Sequence, residues 1–275
     1  MSSKPIKKKV ISKPVSIQPS PQKKIHGLAF IVFLAAFALY ANTFHHGWVL
    51  DDYGSFKLNI YVTAGTDGFH DILTKTYRHG SGFYTDNLYR PLSQLMFATE
   101  WQFFPDSPGL YHAISVFFYA LSCVLLFAFL KRLLKKYNRW IPFFIALLFA
   151  AHPIHTEVVA NIKSRDEIMC FLFIILTLYF SLLYVDKQKW YFLPLIFGSF
   201  LLAMFSKESA ITTLALLPTT LYFFRKPKAT EYIFSFLTIL IPAIIYLCVR
   251  QSILANYPES EFFQVDPVDI YFYNE

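Results

Sequence analysis

Residues 27–53 read GLAFIVFLAAFALYANTFHHGWVLDDY. The first part of this stretch, Gly27 to Phe44, is apolar and uncharged over about 18 residues, close to the length a helix needs to cross the hydrocarbon of a bilayer. Directly after it come two histidines, a tryptophan and the adjacent acids Asp51 and Asp52. One stretch therefore sets both the fold class, a membrane-spanning helix, and the chemistry to look for beside it.

On the N-terminal side, residues 1–26 hold seven lysines, four prolines and no acid. Such a composition cannot bury a core and predicts a disordered basic tail on the cytoplasmic face. The tail is too long and too Pro-rich for a usual signal-peptide n-region, so 27–44 reads as an uncleaved span. On the C-terminal side, further apolar runs follow at about 111–130, 140–154, 167–185, 191–205, 209–224 and 232–249. The chain is 55% hydrophobic and 16% charged, against about 25% charged in a soluble domain. The expected fold is an all-α membrane protein, a polytopic bundle of about seven transmembrane helices over 27–250 with a large first extracytoplasmic loop at 45–110. A segment at 251–275 follows on the outer side.

The 140–154 run is short, and its helix is expected to continue through His152 to Asn161 with polar residues facing protein or an aqueous cavity. Trp48, Trp101, Trp140 and Trp190 lie at or beyond run ends, where an interfacial aromatic belt belongs. The loop at 45–110 predicts short amphipathic helices at the interface, with turns at Gly65, Gly68, Gly80 and Gly82. Cys123, Cys170 and Cys248 sit in separate apolar runs and read as packing residues rather than a disulfide framework or zinc site.

Charge fixes the orientation. With the tail cytoplasmic and seven spans alternating, the inner segments contain 17 of the 25 Lys and Arg but only Asp186 and Glu231 of the 18 acids. This follows the positive-inside rule, and the excess of base then reflects topology rather than a nucleic-acid partner.

Four polar clusters fall on the outer side of this topology. Asp51 and Asp52 lie against an apolar wall that raises a carboxylate pKa, as a general base requires; the pair could also hold a divalent cation such as Mg or Mn, or mark a helix end. Arg90 in LYRPLSQ suits bidentate phosphate binding, with Pro91 starting a helix. His152 to Glu167, HPIHTEVVANIKSRDE, crowds His152, His155, Glu157, Lys163, Arg165, Asp166 and Glu167 at one membrane edge. Two His and a Glu could ligate a metal, but Pro153 disturbs the helix such a site needs, and an anionic head group with Arg165 or Lys163 on its phosphate is favoured. In SKES, Lys207 pairs with Glu208 or meets a phosphate. Together the clusters predict an outward polar cavity that would take a lipid-linked phosphate, its tail in the bilayer and its head group outside. No P-loop or dinucleotide fingerprint accompanies them.

NTFHHGWVLDDY, LYRPLSQ, FAAHPIHTEVVANIKSRDE and SKES resemble, in this order and spacing, the membrane half of the TMTC-type (transmembrane and tetratricopeptide-repeat) proteins of the GT-C glycosyltransferase superfamily, relatives of the protein O-mannosyltransferases. The resemblance covers about 27–250. It implies a mannosyltransferase that moves a hexose from a polyprenyl-phosphate donor to a hydroxyl acceptor, such as a protein Ser or Thr, on the extracytoplasmic face. Asp51 or Asp52 would correspond to the first-loop acid that serves as base or metal ligand. Arg165, Lys207, Arg90 and Lys163 would then meet the donor phosphate, and His152, His155, Glu157, Asp166, Glu167 and Glu208 would line the substrate. TMTC-type proteins continue into further spans and helical repeats, whereas 251–275 is an acidic, aromatic segment without a 34-residue repeat. A transporter or flippase of a lipid-linked or anionic solute, or an inactive membrane fragment, are the competing readings.

Overall fold

The computed structural model describes residues 23–82 and 87–256, so the basic tail before Lys23 and the segment after Asn256 lie outside the described residues. The first span forms α1 (Lys23–Tyr40) and ends in a 3-10 turn at Ala41–His45. The outer loop carries three short helices, α2 (Ile60–Thr63), α3 (Phe69–Thr74) and α4 (Pro91–Phe103). The bundle continues as α5 (Pro108–Leu133), α6 (Trp140–Ala150), α7 (Thr156–Ala160), α8 (Arg165–Lys187), α9 (Phe192–Ser206), α10 (Thr213–Phe224) and α11 (Ala229–Asn256). No strand occurs among the described residues.

Every expected apolar run is helical, but the helices differ in length. Four are long and apolar enough to cross a bilayer: Gly27–His45, α5, α8 and α11. A fifth arises if α6 and Pro153–Ala160 form one span, bent by 48°. The expected continuation of the helix through His152 to Asn161 is thus corrected to two helical pieces with a break at Ala151–His152. Pro153 removes a backbone donor and holds His152 extended (φ −71°, ψ 125°), which ends α6. At 15 and 12 residues, α9 and α10 are shorter than a single crossing requires, so the count of seven spans is not matched helix for helix. Conversely, α11 runs past residue 250 to Asn256 and takes in the start of the expected outer segment. The chain is an all-α, multi-pass membrane protein.

Two apolar cores hold the bundle. One joins α8 and α9 to α5, α10 and α11 through Leu182, Ile196, Phe200, Met204, Leu217 and Tyr246. The other joins α1, α5 and α6 through Val32, Ala36, Val116, Ala120, Phe127 and Ala146. Of the cysteines, Cys123 and Cys170 are buried and free, whereas Cys248 is exposed on α11.

The outer loop is a packed subdomain with its own core of Phe56, Val62, Ile72, Phe97, Tyr111 and Ile162. Phe56 and Phe97 stack at 4.5 Å between ring centroids. Trp48 and Trp101 join this cluster 6.3 Å apart instead of forming a belt, and Trp48 Nε1 donates to Asp106 at 2.8 Å. Trp140 and Trp190 are exposed at the starts of α6 and α9, as a belt expects. Gly65, Gly80 and Gly82 take positive φ, whereas Gly68 has φ −80° and is required by contact, because a Cβ there would lie 1.8 Å from the Tyr61 carbonyl oxygen.

Charges separate to the two ends of the bundle. At the basic end, Asp186 near the C-terminus of α8 binds Arg132 of α5 (3.0 Å) and Arg225 just past α10 (2.9 Å). Arg225 Nη2 also donates to the Arg132 carbonyl at 2.7 Å and satisfies a helix-end acceptor. The opposite end carries the loop subdomain and most of the acids. Because Phe97 is fully buried under Phe56 and Arg165, Phe97→Ala should cost about 3–5 kcal/mol. Limited proteolysis should then cut within 45–107 while the bundle persists; an uncut loop would contradict the packed subdomain.

Candidate functional site

Asp52 ends a turn that closes on itself. Its backbone N–H donates to Val49 O at 2.9 Å, and Val49 N–H donates back to Asp52 Oδ2 at 3.0 Å. Between them Leu50 takes φ +41°, a left-handed conformation that costs a non-glycine residue about 1–2 kcal/mol. The other oxygen, Oδ1, accepts from the backbone N–H of Lys163 at 2.9 Å, across 111 positions of sequence. The first loop is thereby fastened to the segment that starts α8. The Asp52 side chain is fully buried, and burial pushes its carboxyl up to about 6 against the pull of both backbone donors.

Asp51 points elsewhere. Its carboxylate is 53% exposed and accepts from Arg78 Nη2 at 3.2 Å. The two acids therefore have separate partners, one solvated and one buried, and do not form a chelating pair. Among the described residues, no group of three or more His, Cys, Asp or Glu is arranged to hold a metal ion.

Arg90 carries the center of the cluster. Its Nε and Nη2 donate to Glu208 Oε2 and Oε1 at 2.9 and 2.6 Å, and its Nη1 donates to Asp166 Oδ2 at 2.8 Å. Pro91 follows at the first helical position of α4, as the sequence predicts. Arg90 is only 6% exposed and Asp166 1%. Burial acts to raise the Glu208 carboxyl, but the Arg90 fork holds it below the usual carboxylate range. Lys163 Nζ stands 4.0 Å from Asp166, and Lys207 Nζ pairs with Glu167. All four sequence clusters thus meet at one end of the bundle, although as a filled ion-pair network in which the cations already hold protein acids.

Arg165 corrects an expectation. It is fully buried, its Nη1 donates to Glu100, its Nε to Ser115 Oγ at 3.1 Å and its Nη2 to the Tyr111 carbonyl at 2.8 Å. Its guanidinium also lies 4.4 Å over the Phe97 ring. With every face engaged, Arg165 ties the loop subdomain to α8 and is not presented to a phosphate. His152 and His155 also have local duties. His152 Nδ1 accepts from Ile154 N–H at 3.2 Å and caps the turn, while the His155 ring packs 4.3 Å from Phe149. Glu157 is exposed in the first turn of α7. The structure does not join these three to the Arg90 network through any direct pair.

Sequence reasoning missed Arg78 and Glu100. Neither stands in one of the four motifs, and only folding places it against Asp51 or Arg165, 27 and 65 positions away.

Arg90→Ala would leave the buried Asp166 carboxylate without its closest cation and should cost about 3–5 kcal/mol, read as a lowered unfolding midpoint in detergent. Asp52 gives a pH signature. Its folded pKa, about 6, exceeds the ordinary 3.8, so its contribution is fully present below pH 4 and is lost as pH rises through 6. The span is about 3 kcal/mol. The unfolding midpoint of wild type should fall over this window more steeply than that of Asp52→Asn, which has no proton to lose; parallel slopes would refute the buried, titrating carboxyl.

Comparison with known proteins gives the same direction. No family model and no solved structure matches the chain. Curated relatives do. The chain is 35% identical to the protein O-mannosyl-transferase TMTC2 of Homo sapiens over 144 residues, 51% of this chain and 17% of that protein. It is 31% identical to the protein O-mannosyl-transferase Tmtc1 of Drosophila melanogaster over 205 residues, 70% of this chain and 22% of the relative. For TMTC1 of Homo sapiens the values are 32% over 154 residues, 54% and 17%. The matches span only about a fifth of the length of these relatives. Within that share, the chain is a TMTC-like membrane protein, homologous to part of the TMTC-type protein O-mannosyl-transferases.

Proposed function

We propose that this chain provides the membrane part of a glycosyltransferase that moves a hexose, mannose in the first instance, from a polyprenyl-phosphate donor to a hydroxyl acceptor on a protein. The observation that carries the reading is the meeting of Asp52, Arg90, Asp166 and Glu208 from four distant motifs in one network, in a chain whose curated relatives are named protein O-mannosyl-transferases. A transporter would place ionisable groups near the middle of its spans. Here they gather at the two ends, which favours chemistry at an edge. The acid-rich end is assigned to the extracytoplasmic side by the positive-inside rule.

Asp51 is the general base in this reading, because a base must reach its proton before its pKa matters, and Asp51 is the exposed member of the pair. Arg78 holds it in place. The acceptor oxygen attacks the anomeric carbon as its proton passes to Asp51. The bond from that carbon to the phosphate oxygen breaks on the opposite face, with inversion, and the phosphate leaves with the electron pair. A phosphate needs positive charge near its oxygens more than it needs a proton. Lys163 and Lys207 are the cations for this role, since each sits partly exposed in a single ion pair that a phosphate could replace. Asp52, Arg90 and Arg165 hold the elements that carry them.

The test is release of labelled mannose from polyprenyl-phosphate mannose by the chain in lipid, with and without EDTA. Asp51→Asn should lower transfer by about 10²–10⁴-fold while donor binding persists. Lys163→Gln with Lys207→Gln should weaken donor binding about tenfold or more. Full turnover in Asp51→Asn would remove it as the base, and solute flux in proteoliposomes without donor cleavage would replace the enzyme by a transporter.

A further inference from the structure

The basic end of the bundle holds a feature that sugar transfer at the other end does not use. Along the sequence, Lys131, Arg132, Lys135, Lys136, Arg139, Lys187, Lys189, Arg225, Lys226 and Lys228 gather there against only Asp186 and Glu231. Asp186 alone binds three of the cations: Arg132 at 3.0 Å, Lys135 at 3.3 Å and Arg225 at 2.9 Å. One carboxylate cannot neutralise three charges, and Lys131 has no acid within ion-pair distance among the described residues. Arg132 is held by Asp186 through Nη2, so the accessible charge left over is that of the lysines.

Two cavities open on either side of Asp186. One, of about 380 Å³, is lined by Ala128, Lys131, Arg132, Lys135, Tyr179 and Asp186. The other, of about 450 Å³, is lined among others by Lys135, Lys136, Arg225, Lys226 and Lys228, with Phe224 at its apolar side. Next to them Tyr222 and Phe223, at the end of α10, are exposed by 61% and 69%. Cationic hollows at span ends, bordered by outward aromatic side chains, join a site for negative charge to a surface for acyl chains.

We infer that the α5–α8–α10 end is a binding site for the head group of an anionic phospholipid. The phosphate lies against Lys135, which lines both hollows, with Lys131 beside it, and offsets the charge that Asp186 leaves uncompensated. The acyl chains run along the exposed face of α10. A bound lipid of this kind would fasten the C-termini of three helices, two of which belong to the span set that positions the candidate site. The lipid is favoured over free phosphate because the hollows lie at the ends of the apolar helices α5 and α8 and adjoin exposed aromatic surface on α10.

The test uses the full chain in detergent with phosphatidylglycerol and phosphatidylcholine of identical acyl chains, bound lipid being read by native mass spectrometry. Phosphatidylglycerol should be retained over phosphatidylcholine. Lys131→Gln with Lys135→Gln should weaken its binding by about fivefold per lysine, while Lys57→Gln at the opposite end should leave it unchanged. Both lysines in the first pair are at least partly exposed, so thermal unfolding should match wild type. If that variant fails to fold, Lys136→Gln with Lys228→Gln asks the same of the second hollow. Equal retention of the two lipids, unchanged affinity in the lysine variants, or inorganic phosphate bound as tightly as the lipid would each overturn the proposal. None of these readouts depends on sugar transfer.

Discussion

Arg90 is the side chain on which the outer end of the molecule depends. It stands at the junction of the loop subdomain and α4, yet its guanidinium reaches Asp166 at the start of α8 and Glu208 just beyond α9. Burial makes every unmatched charge expensive, so a guanidinium with five donors in a fixed fork is suited to a point where two acids from different helices must be satisfied together. The same logic is repeated one layer deeper by Arg165, which ties Glu100, Ser115 and the Tyr111 carbonyl. Two buried arginines therefore act as the fasteners between a soluble-like subdomain and a membrane bundle.

This arrangement changes how the polar end should be understood chemically. Cations that read in sequence as free to meet a phosphate divide into two kinds. Arg90 and Arg165 are saturated by the protein, whereas Lys163 and Lys207 keep partial exposure and one acid each. The acidic pair divides in the same manner. Asp52 is sealed against two backbone donors and is pushed up to about 6, and Asp51 remains in solvent beside Arg78. In both cases the buried partner ties separate elements together and the exposed one keeps contact with solvent.

The opposite end obeys the bilayer rather than a substrate. Asp186 gathers Arg132, Lys135 and Arg225, and Arg225 also caps the open carbonyls of α5. Hydrocarbon forces charge to the ends of spans, and it forces each helix end to find partners. The excess of cations left over at this end is the physical basis for a lipid partner there.

Much of the fold was legible in the sequence. Apolar runs set the positions of the helices because burial in lipid depends on local composition, and the lysine count separated the two ends because charge cannot reside in hydrocarbon. The sequence also marked the four motifs, since polar residues so close to apolar runs are conspicuous. It could not tell which of these residues were spent. Pairing of Asp52 with Lys163, of Arg90 with Glu208 or of Asp51 with Arg78 spans 111, 118 and 27 positions, and no local pattern encodes a contact made only when helices pack. The break at Pro153 was visible as a residue, but its 48° bend required the neighbouring helices. Sequence by itself determined what must lie in the membrane and which residue types stand at its edge; the tertiary structure decided which charges are buried in pairs and which stay exposed to solvent, because desolvation and distance are properties of the packed chain alone.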